Sequence, residues 1–419
     1  MPESAKTRQP EYYANFRCIG SDCEDTCCAG SGVMIDRETY EKYRASSDPD
    51  LKPLLDEKIQ RNAASESDET YALVVLNGSV CPFLDEKRFC AIQQKLGEDG
   101  LSRACATYPR AMSVVDGVVE RSLYLSCPEA ARLVLLNPDG IKFIETEAEK
   151  GTRFRGFPEL KTSSSSPSSK PYGHFWPIRE FIRSLLQNRD YAVWKRLIVL
   201  GMFCDELSKI SDQNSREACD SLIASFSAHI AEKQFETTLE NIALQPALQV
   251  TFLIKSLEYR ISSDFTGPRF LDCYRQFLQG IHYAPEATTE QLGIYYTEAY
   301  QNYYAPFMAD HEYIFENYLV NYVYKGLFLF GPQKSLYYEE KSIFTEYLQL
   351  VIHYSLLRSL LIGMAGYHKE NLNLDHVIGL FQSFAKAIEH SLPYLKSVRE
   401  SLEGNNMANL PILAFLIKN

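Results

Sequence analysis

The 419 residues are 45% apolar and 23% charged, with a formal net charge of −11. That balance belongs to a folded globular chain, long enough for two or three domains that each bury a core, and excludes a disordered or fibrous one. The acidic excess argues against general affinity for nucleic acid, whose phosphates call for a basic face, and leaves proteins or small molecules as partners.

The N-terminal MPESAKTRQPEYY is polar, with no apolar run behind its basic residues, so it does not read as a secretory signal. The longest apolar stretches, such as LIVL with GMF at 197–203, are too short to cross a bilayer. A cytoplasmic protein without membrane partners is expected, and there thiols stay reduced. This matters because Tyr12–Asp36 holds Cys18, Cys23, Cys27 and Cys28, and Cys81, Cys90, Cys105 and Cys127 follow. Only three cysteines lie beyond Cys127. Thiols gathered in a reducing compartment point to a soft metal or to catalysis rather than to bridges. Loop spacing such as Cys23-x3-Cys27 suits iron–sulfur and structural zinc equally. Proline stiffens the chain after Cys81, near Cys105 (Tyr108-Pro109) and after Cys127.

Along the chain, 37–62 reads as two helical pieces separated by the SSDPD turn signal. YALVVL at 71–76 reads as a strand ended by Asn77-Gly78. AIQQKLGEDGLS gives a short helix closed by Gly97 and a second from Leu101. MSVVDGVVERSLYLS gives a hairpin about Asp116-Gly117, which would draw Cys105 and Cys127 together. The Ser-rich stretch 161–171, KTSSSSPSSKP, is the best linker. Beyond it the pattern is helical: FWPIREFIRSLLQ with Pro177 in the first turn, YAVWKRLIVLGMFCDEL, HEYIFENYLVNYVYKGLFLF, FTEYLQLVIHYSLLRSLLIGMAGYH and LDHVIGLFQSFAKAIEHSLPYLKSV. In the third of these, Gly326 continues the apolar face and suggests close approach of a neighbour. The fold class expected is α+β, mostly α: a cysteine-rich mixed unit at 1–160, the linker 161–171, and a helical unit at 172–419.

No GxGxxG after a strand, GxxxxGK[ST], HExxH or GxSxG occurs, so a Rossmann-type cofactor domain is not visible. The histidines His311, His353, His368, His376 and His390 read as packing or surface residues. The tyrosine-rich GIYYTEAYQNYYAPF reads as helix-packing material before it reads as a groove. Arg110, directly after Tyr108-Pro109 and close to Cys105, is the nearest candidate to clamp an anionic carboxylate.

The runs YxxNFxCxGSxCxDTCCxG, CPFL, CxIQxxLGEDGLSxxCxxYPR and LSCPEAARL, then ENYLVNYVY and RSLLIGMAGYH, resemble the flagellin lysine-N-methylase family. The first half is also similar to cysteine-rich domains described as zinc- or iron-chelating. The resemblance is dense from Tyr12 to Leu133 and sparse through the linker. It implies an S-adenosylmethionine-dependent enzyme that methylates lysine ε-amines of flagellin in the cytoplasm. It also implies a [4Fe-4S] cluster held by thiols among Cys18, Cys23, Cys27, Cys28, Cys81, Cys90, Cys105 and Cys127, with Tyr108 and Arg110 at the cofactor. The sequence departs from the family where Ser31 follows Gly30, a position usually held by Trp. An iron with an open coordination position would bind the donor's amino and carboxylate groups, which accounts for the missing Gly-rich loop. Two rivals remain on the residues alone: a zinc-binding interaction module, and an iron–sulfur electron carrier.

Overall fold

Asp116 and Gly117 both take positive φ, 50° and 82°, as a type I′ turn requires. Arg110–Val115 therefore folds back on Val118–Leu123, pairing Arg110 with Leu123 and Val115 with Val118. The computed structural model describes residues 6–26, 33–78, 80–87, 89–147, 158–163, 170–210, 215–261, 267–331 and 341–418. Its strands are β1 (Lys6–Pro10), β2 (Met34–Ile35), β3 (Ile59–Arg61), β4 (Ala72–Val74), β5 (Arg110–Val115), β6 (Val118–Leu123), β7 (Phe143–Glu147) and β8 (Glu159–Leu160). One sheet has the order β7-β1-β6-β5-β8, with β1 parallel to β6 and β8 parallel to β5. The other is an antiparallel ladder, β2-β4-β3. Helices dominate the remainder, so the fold is α+β and mostly α, as expected.

The ladder has a core of its own, with Ile35, Tyr43, Leu55, Val74, Cys81 and Phe83 buried together. The SSDPD turn does separate a pair of helices there, Arg37–Arg44 and Leu51–Lys58. The larger sheet has no separate core. Its Val115 and Leu123, with Tyr12 and Phe16, join one apolar cluster that runs through the helices as far as Ile417.

Two helices organise that cluster. Ile343–His368 is buried at every position from Glu346 to Ala365. It extends with the following turn to Asn371, and that span is apolar and long enough to cross a membrane, but its most apolar window lies wholly inside the protein. It is a core helix, longer and more apolar than the short runs noticed in the sequence. Its neighbour Pro268–Gly280 approaches backbone to backbone: a Cβ on Gly280 would stand 1.8 Å from the Gly363 carbonyl oxygen, and one on Gly366 2.5 Å from that of Gly280. The glycines of RSLLIGMAGYH thus make this crossing possible.

The second organiser is Tyr313–Lys325, buried nearly all round. Its polar residues tie it to the sheet side of the protein. Asn321 Oδ1 accepts from Tyr12 Oη (2.6 Å) and Ser122 Oγ (2.7 Å), and its Nδ2 donates to the Leu123 carbonyl (3.1 Å). Glu316 holds Arg196 (2.6 Å) and Arg189 (2.9 Å). Buried polar groups need such partners. Gly326 differs from expectation: nothing lies within 4 Å of a Cβ there. It ends the helix in extended conformation instead of admitting a neighbour.

The stretch 374–398 also departs from one continuous helix. Leu374–Phe384 passes into a π turn, Ala385–Glu389, and a new helix, Leu392–Gly404, starts with Pro393 in its first turn. Proline has no N–H to give and sits best at a helix start, so the chain breaks before it. Of the Ser-rich linker, 164–169 lie outside the described residues, but both flanks are anchored. Thr162 bonds to Asp116, and buried Lys170 donates to the Phe330 carbonyl at 2.6 Å. The tyrosine-rich stretch is packing material: Arg358 sits 5.8 to 5.9 Å from the rings of Tyr300, Tyr304 and Tyr354.

Candidate active site

The thiols fall into two neighbouring groups. Cys18 is exposed beside the turn Gly20–Asp22, with the Gly20 N–H 3.4 Å from its Sγ; Cys23 caps that turn. Cys127 stands at the N-cap of Pro128–Leu135. Burial pushes the Cys127 thiol up to about 11, opposed by the backbone N–H groups of Ala130 and Glu129 and reinforced by the nearby Cys23 and Cys18 thiols. Burial also raises Cys23, with Glu24, Asp25 and Cys18 adding to it. These three share one electrostatic neighbourhood.

In the second group, Cys81 is buried in the small core, Cys90 caps Ala91–Leu96, and Cys105 lies exposed on Arg103–Thr107. Cys105 and Cys90 both act on the Tyr43 phenol. The groups adjoin, since a Cβ on Gly20 would stand 3.7 Å from the Phe89 ring. Cys27, Cys28 and Ser31 lie outside the described residues. Among the described residues no three His, Cys, Asp or Glu side chains converge closely enough to hold a metal ion. Cys18, Cys23 and Cys127 nonetheless offer three thiols in one neighbourhood, which suits a soft metal or an iron–sulfur core, and the carboxylates beside them are taken up by Arg132 and Lys386.

The acidic residues that follow Cys23 anchor this turn to the helical body. Glu24 pairs with Arg132 and lies 3.7 Å from Arg269. Asp25 accepts from Lys386 (3.0 Å) and Gln382 (2.7 Å), and Lys386 also donates to the Thr26 carbonyl at 2.8 Å. Burial would raise the Asp25 carboxyl, but Lys386 and these hydrogen bonds hold it below its ordinary value. Gln382 Nε2 reaches the Ser126 carbonyl as well, at 2.9 Å.

Tyr108 and Arg110 lie at the same junction. Tyr108 Oη donates to Ser126 Oγ at 3.0 Å, and Ser126 Oγ is 2.8 Å from His390 Nε2. Arg110 lays its guanidinium 5.2 Å over the ring of Phe16, two residues before Cys18.

From His390 the path leads into a cavity of about 790 Å³, within the ~300–1,000 Å³ typical of small-molecule sites. Tyr124, whose ring lies 5.6 Å from that of His390, and Pro158 contribute one wall. The helical body supplies the rest, from Tyr322, Lys325, the turn Gly326–Gly331, Glu346, Gln349, His353, Glu389 and the start of Leu392–Gly404. The turn is pinned from behind: buried Arg179 binds the carbonyls of Val323, on the preceding helix, and Gly326, and Lys170 binds that of Phe330.

The polar lining is differentiated. Glu389 is fully enclosed, with Lys325 Nζ on one oxygen and Tyr318 Oη on the other at 2.7 Å. Burial would raise it, but Lys325, His353 and these hydrogen bonds bring it down to about 2. Burial pushes His353 down to about 4, so the ring is neutral at physiological pH. Burial drives Glu346 up to about 7 against the pull of Lys170 and Arg399. Such opposed carboxyls in one cavity mark a site for chemistry.

A FliB lysine N-methylase C-terminal domain model matches residues 179–416, most of the helical body and much of the cavity wall. The chain belongs to the FliB lysine N-methylase family. Similar family members include a lysine-N-methylase of Salmonella choleraesuis, 24% identical over 408 residues that cover 94% of each chain. A lysine-N-methylase of Salmonella typhimurium is 26% identical over 67% of this chain and 68% of its own. The flagellar biosynthetic protein FliU of Salmonella muenchen is 32% identical over 142 residues, 33% of this chain and 83% of that protein. No solved structure matches significantly. The enzyme is thus a protein-lysine N-methyltransferase, as the sequence resemblance implied.

Sequence reading singled out the thiols, Tyr108 and Arg110, but not Lys325, Glu346, Gln349 and Glu389 of the cavity lining. Of that lining it noticed His353, as a packing or surface residue, and Gly326, as a point of close approach. Glu346 did carry a signal, since it is the one carboxylate of the long apolar run FTEYLQLVIHYSLL; Glu389, between Lys386 and His390, carried none.

Proposed function

We propose that this methyltransferase transfers the methyl group of S-adenosylmethionine to lysine ε-amino groups of flagellin, in the cytoplasm, with a [4Fe-4S] cluster beside the reaction cavity. The observation that carries the reading is the shared wall. Ser126, next to Cys127, touches Tyr108, His390 and Gln382, while Tyr124, two residues before Ser126, and Glu389, directly before His390, line the cavity. The thiols and the pocket are parts of one site.

Three thiolates drawn from Cys18, Cys23 and Cys127, and from Cys27 and Cys28 of the same sequence stretch as Cys18, are the donors we assign to the cluster, which leaves one iron open. When bound, it would offer an iron position to the amino and carboxylate groups of the methyl donor. The chain's own residues do the remainder. Asp25 fixes the thiol loop to Gln382 and to Lys386, the latter on the π turn whose last residue, Glu389, lines the cavity. The apolar lining from Leu327, Phe328, Leu392 and Leu395 excludes water and aligns the lysine stem. Flagellin as substrate is supported by the flagellar role in the name of a relative.

The test is transfer of labelled methyl from S-adenosylmethionine to flagellin by oxygen-protected protein assayed for iron and acid-labile sulfide. Label on flagellin but not on a lysine-substituted control is expected. Colourless zinc protein that moves no label would refute the proposal.

A further inference from the structure

Two phenols on the cavity lining have no hydrogen-bond partner among the described residues: Tyr124 on the sheet side and Tyr322 on the helix Tyr313–Lys325. Protein encloses both rings. That burial raises both phenols, reinforced by Glu389 at each and by Glu346 at Tyr322, so each stays a neutral hydroxyl. Unpartnered polar atoms sealed inside the protein, such as His353 Nδ1, meet no ligand. These two oxygens are not sealed, and each opens into the cavity that its residue lines. An enclosed hydroxyl is expected to have a partner. Here the partner is whatever enters the cavity.

Both rings are fixed before that happens. Tyr322 packs edge-on against His353 (5.3 Å) and Phe328 (6.0 Å), with Lys325 Nζ 4.8 Å over its face. Tyr124 donates its backbone N–H to the Pro109 carbonyl at 2.8 Å, and its own carbonyl accepts from the Cys127 N–H at 3.4 Å. Its ring lies 5.6 Å from that of His390. One hydroxyl is thus held from the thiol side and the other from the helical body.

We propose that the Tyr124 and Tyr322 hydroxyls accept the two N–H groups of the substrate ε-amine, which aims its lone pair and makes a second methyl transfer slower than the first. The proposal rests on the cavity being the methylation site. A neutral amine carries two N–H groups and one lone pair, and a hydroxyl oxygen accepts. Once the ammonium has given its extra proton to solvent, an amine held by both oxygens points its lone pair away from them, towards the methyl donor. That pair forms the N–C bond as the carbon–sulfur bond breaks, and the broken bond's electrons return to sulfur. The sulfonium charge ends on a secondary ammonium, which yields one proton to solvent. The product has one N–H where the substrate had two. It can therefore satisfy only one hydroxyl while keeping its lone pair in line.

The test has two arms. Without methyl donor, binding is measured for a blocked pentapeptide with a central lysine among alanines and for its Nε-dimethyl-lysine counterpart. Wild-type protein should prefer lysine by roughly tenfold, and Tyr124→Phe/Tyr322→Phe should cut the preference to about twofold or less. In the second arm, oxygen-protected protein methylates flagellin and flagellin already monomethylated on lysine. Each single Phe variant should lower kcat on unmodified lysine roughly tenfold, and should lower the ratio of the first rate to the second roughly fivefold, because the lost oxygen also leaves room for a methyl. A merely structural role would slow both rates alike and leave that ratio unchanged. Wild-type protein that does not prefer lysine overturns the proposal, as does a double variant that keeps the preference or a pair of single variants with the wild-type ratio. A tyrosine-dependent preference in protein that transfers nothing from S-adenosylmethionine would refute the donor and leave the amine site standing.

Discussion

The Lys325–Glu389 pair gives the sharpest test of how the cavity is built. Glu389 is fully buried, and its carboxyl falls from the ordinary 4.5 to about 2. By linkage this is worth ~3 kcal/mol. Lys325→Met would leave that carboxylate enclosed with Tyr318 as its remaining described hydrogen-bond partner. The expected cost at pH 7 is ~3–5 kcal/mol, since removing one partner strands a buried charge. The sign with pH follows from the same displacement. In the wild type the contribution is complete above 4.5 and is lost as pH falls through about 2. In the variant Glu389 takes a proton at much higher pH, so the difference between the proteins should shrink as pH is lowered from 7 to 5. Urea unfolding at several pH values measures this, and Lys325→Met/Glu389→Gln should recover most of the loss, with a coupling of ~2 kcal/mol or more. A single-variant cost below ~1 kcal/mol, equal at pH 5 and 8 and uncoupled from Glu389, would refute the reasoning.

Gly363→Ala places a Cβ 2.3 Å from the Phe277 ring and 2.9 Å from its carbonyl, so a loss of ~1–3 kcal/mol or more is expected in urea unfolding. Gly326→Ala, with open space around it, should stay within ~0.5 kcal/mol. Lys386→Met removes the contacts to Asp25 and Thr26, worth ~1 kcal/mol, and, with the cluster we propose in place, should speed iron release to a chelator roughly fivefold. Burial lowers His353 from 6.5 to about 4, which costs stability as pH falls through that window; the rise of Glu346 from 4.5 to about 7 adds stability over nearly the same window. These two contributions nearly cancel between pH 6.5 and 4.5, so Glu346→Gln should lose ~3 kcal/mol more than the wild type on acidification, as followed by urea unfolding.

Local chemistry made some of this fold readable in the sequence. Asp116-Gly117 specified a hairpin because only such residues take positive φ cheaply. Gly97 ended its helix with φ 72° for the same reason. The break before Pro393 followed a local rule that helical periodicity obscured. The role of Asn317 and Asn321 was not legible, because their partners Leu135, Asn137, Tyr12 and Ser122 lie far away along the chain. The candidate site divides in the same way. Its thiols announce themselves by composition, whereas nothing in the sequence tells that burial raises Glu346 while Lys325, His353 and hydrogen bonds from distant elements pull Glu389 down against its own burial.

Methylation of lysine in the cavity between Tyr124 and the helical wall is the claim on which the mechanism stands. Leu392, half-exposed on its lining, allows a direct test. With oxygen-protected protein, labelled S-adenosylmethionine and flagellin, Leu392→Trp should cut methyl transfer roughly tenfold or more by misplacing the reactants, while the unfolding transition stays in place. Transfer at the wild-type rate through the narrowed cavity would contradict it.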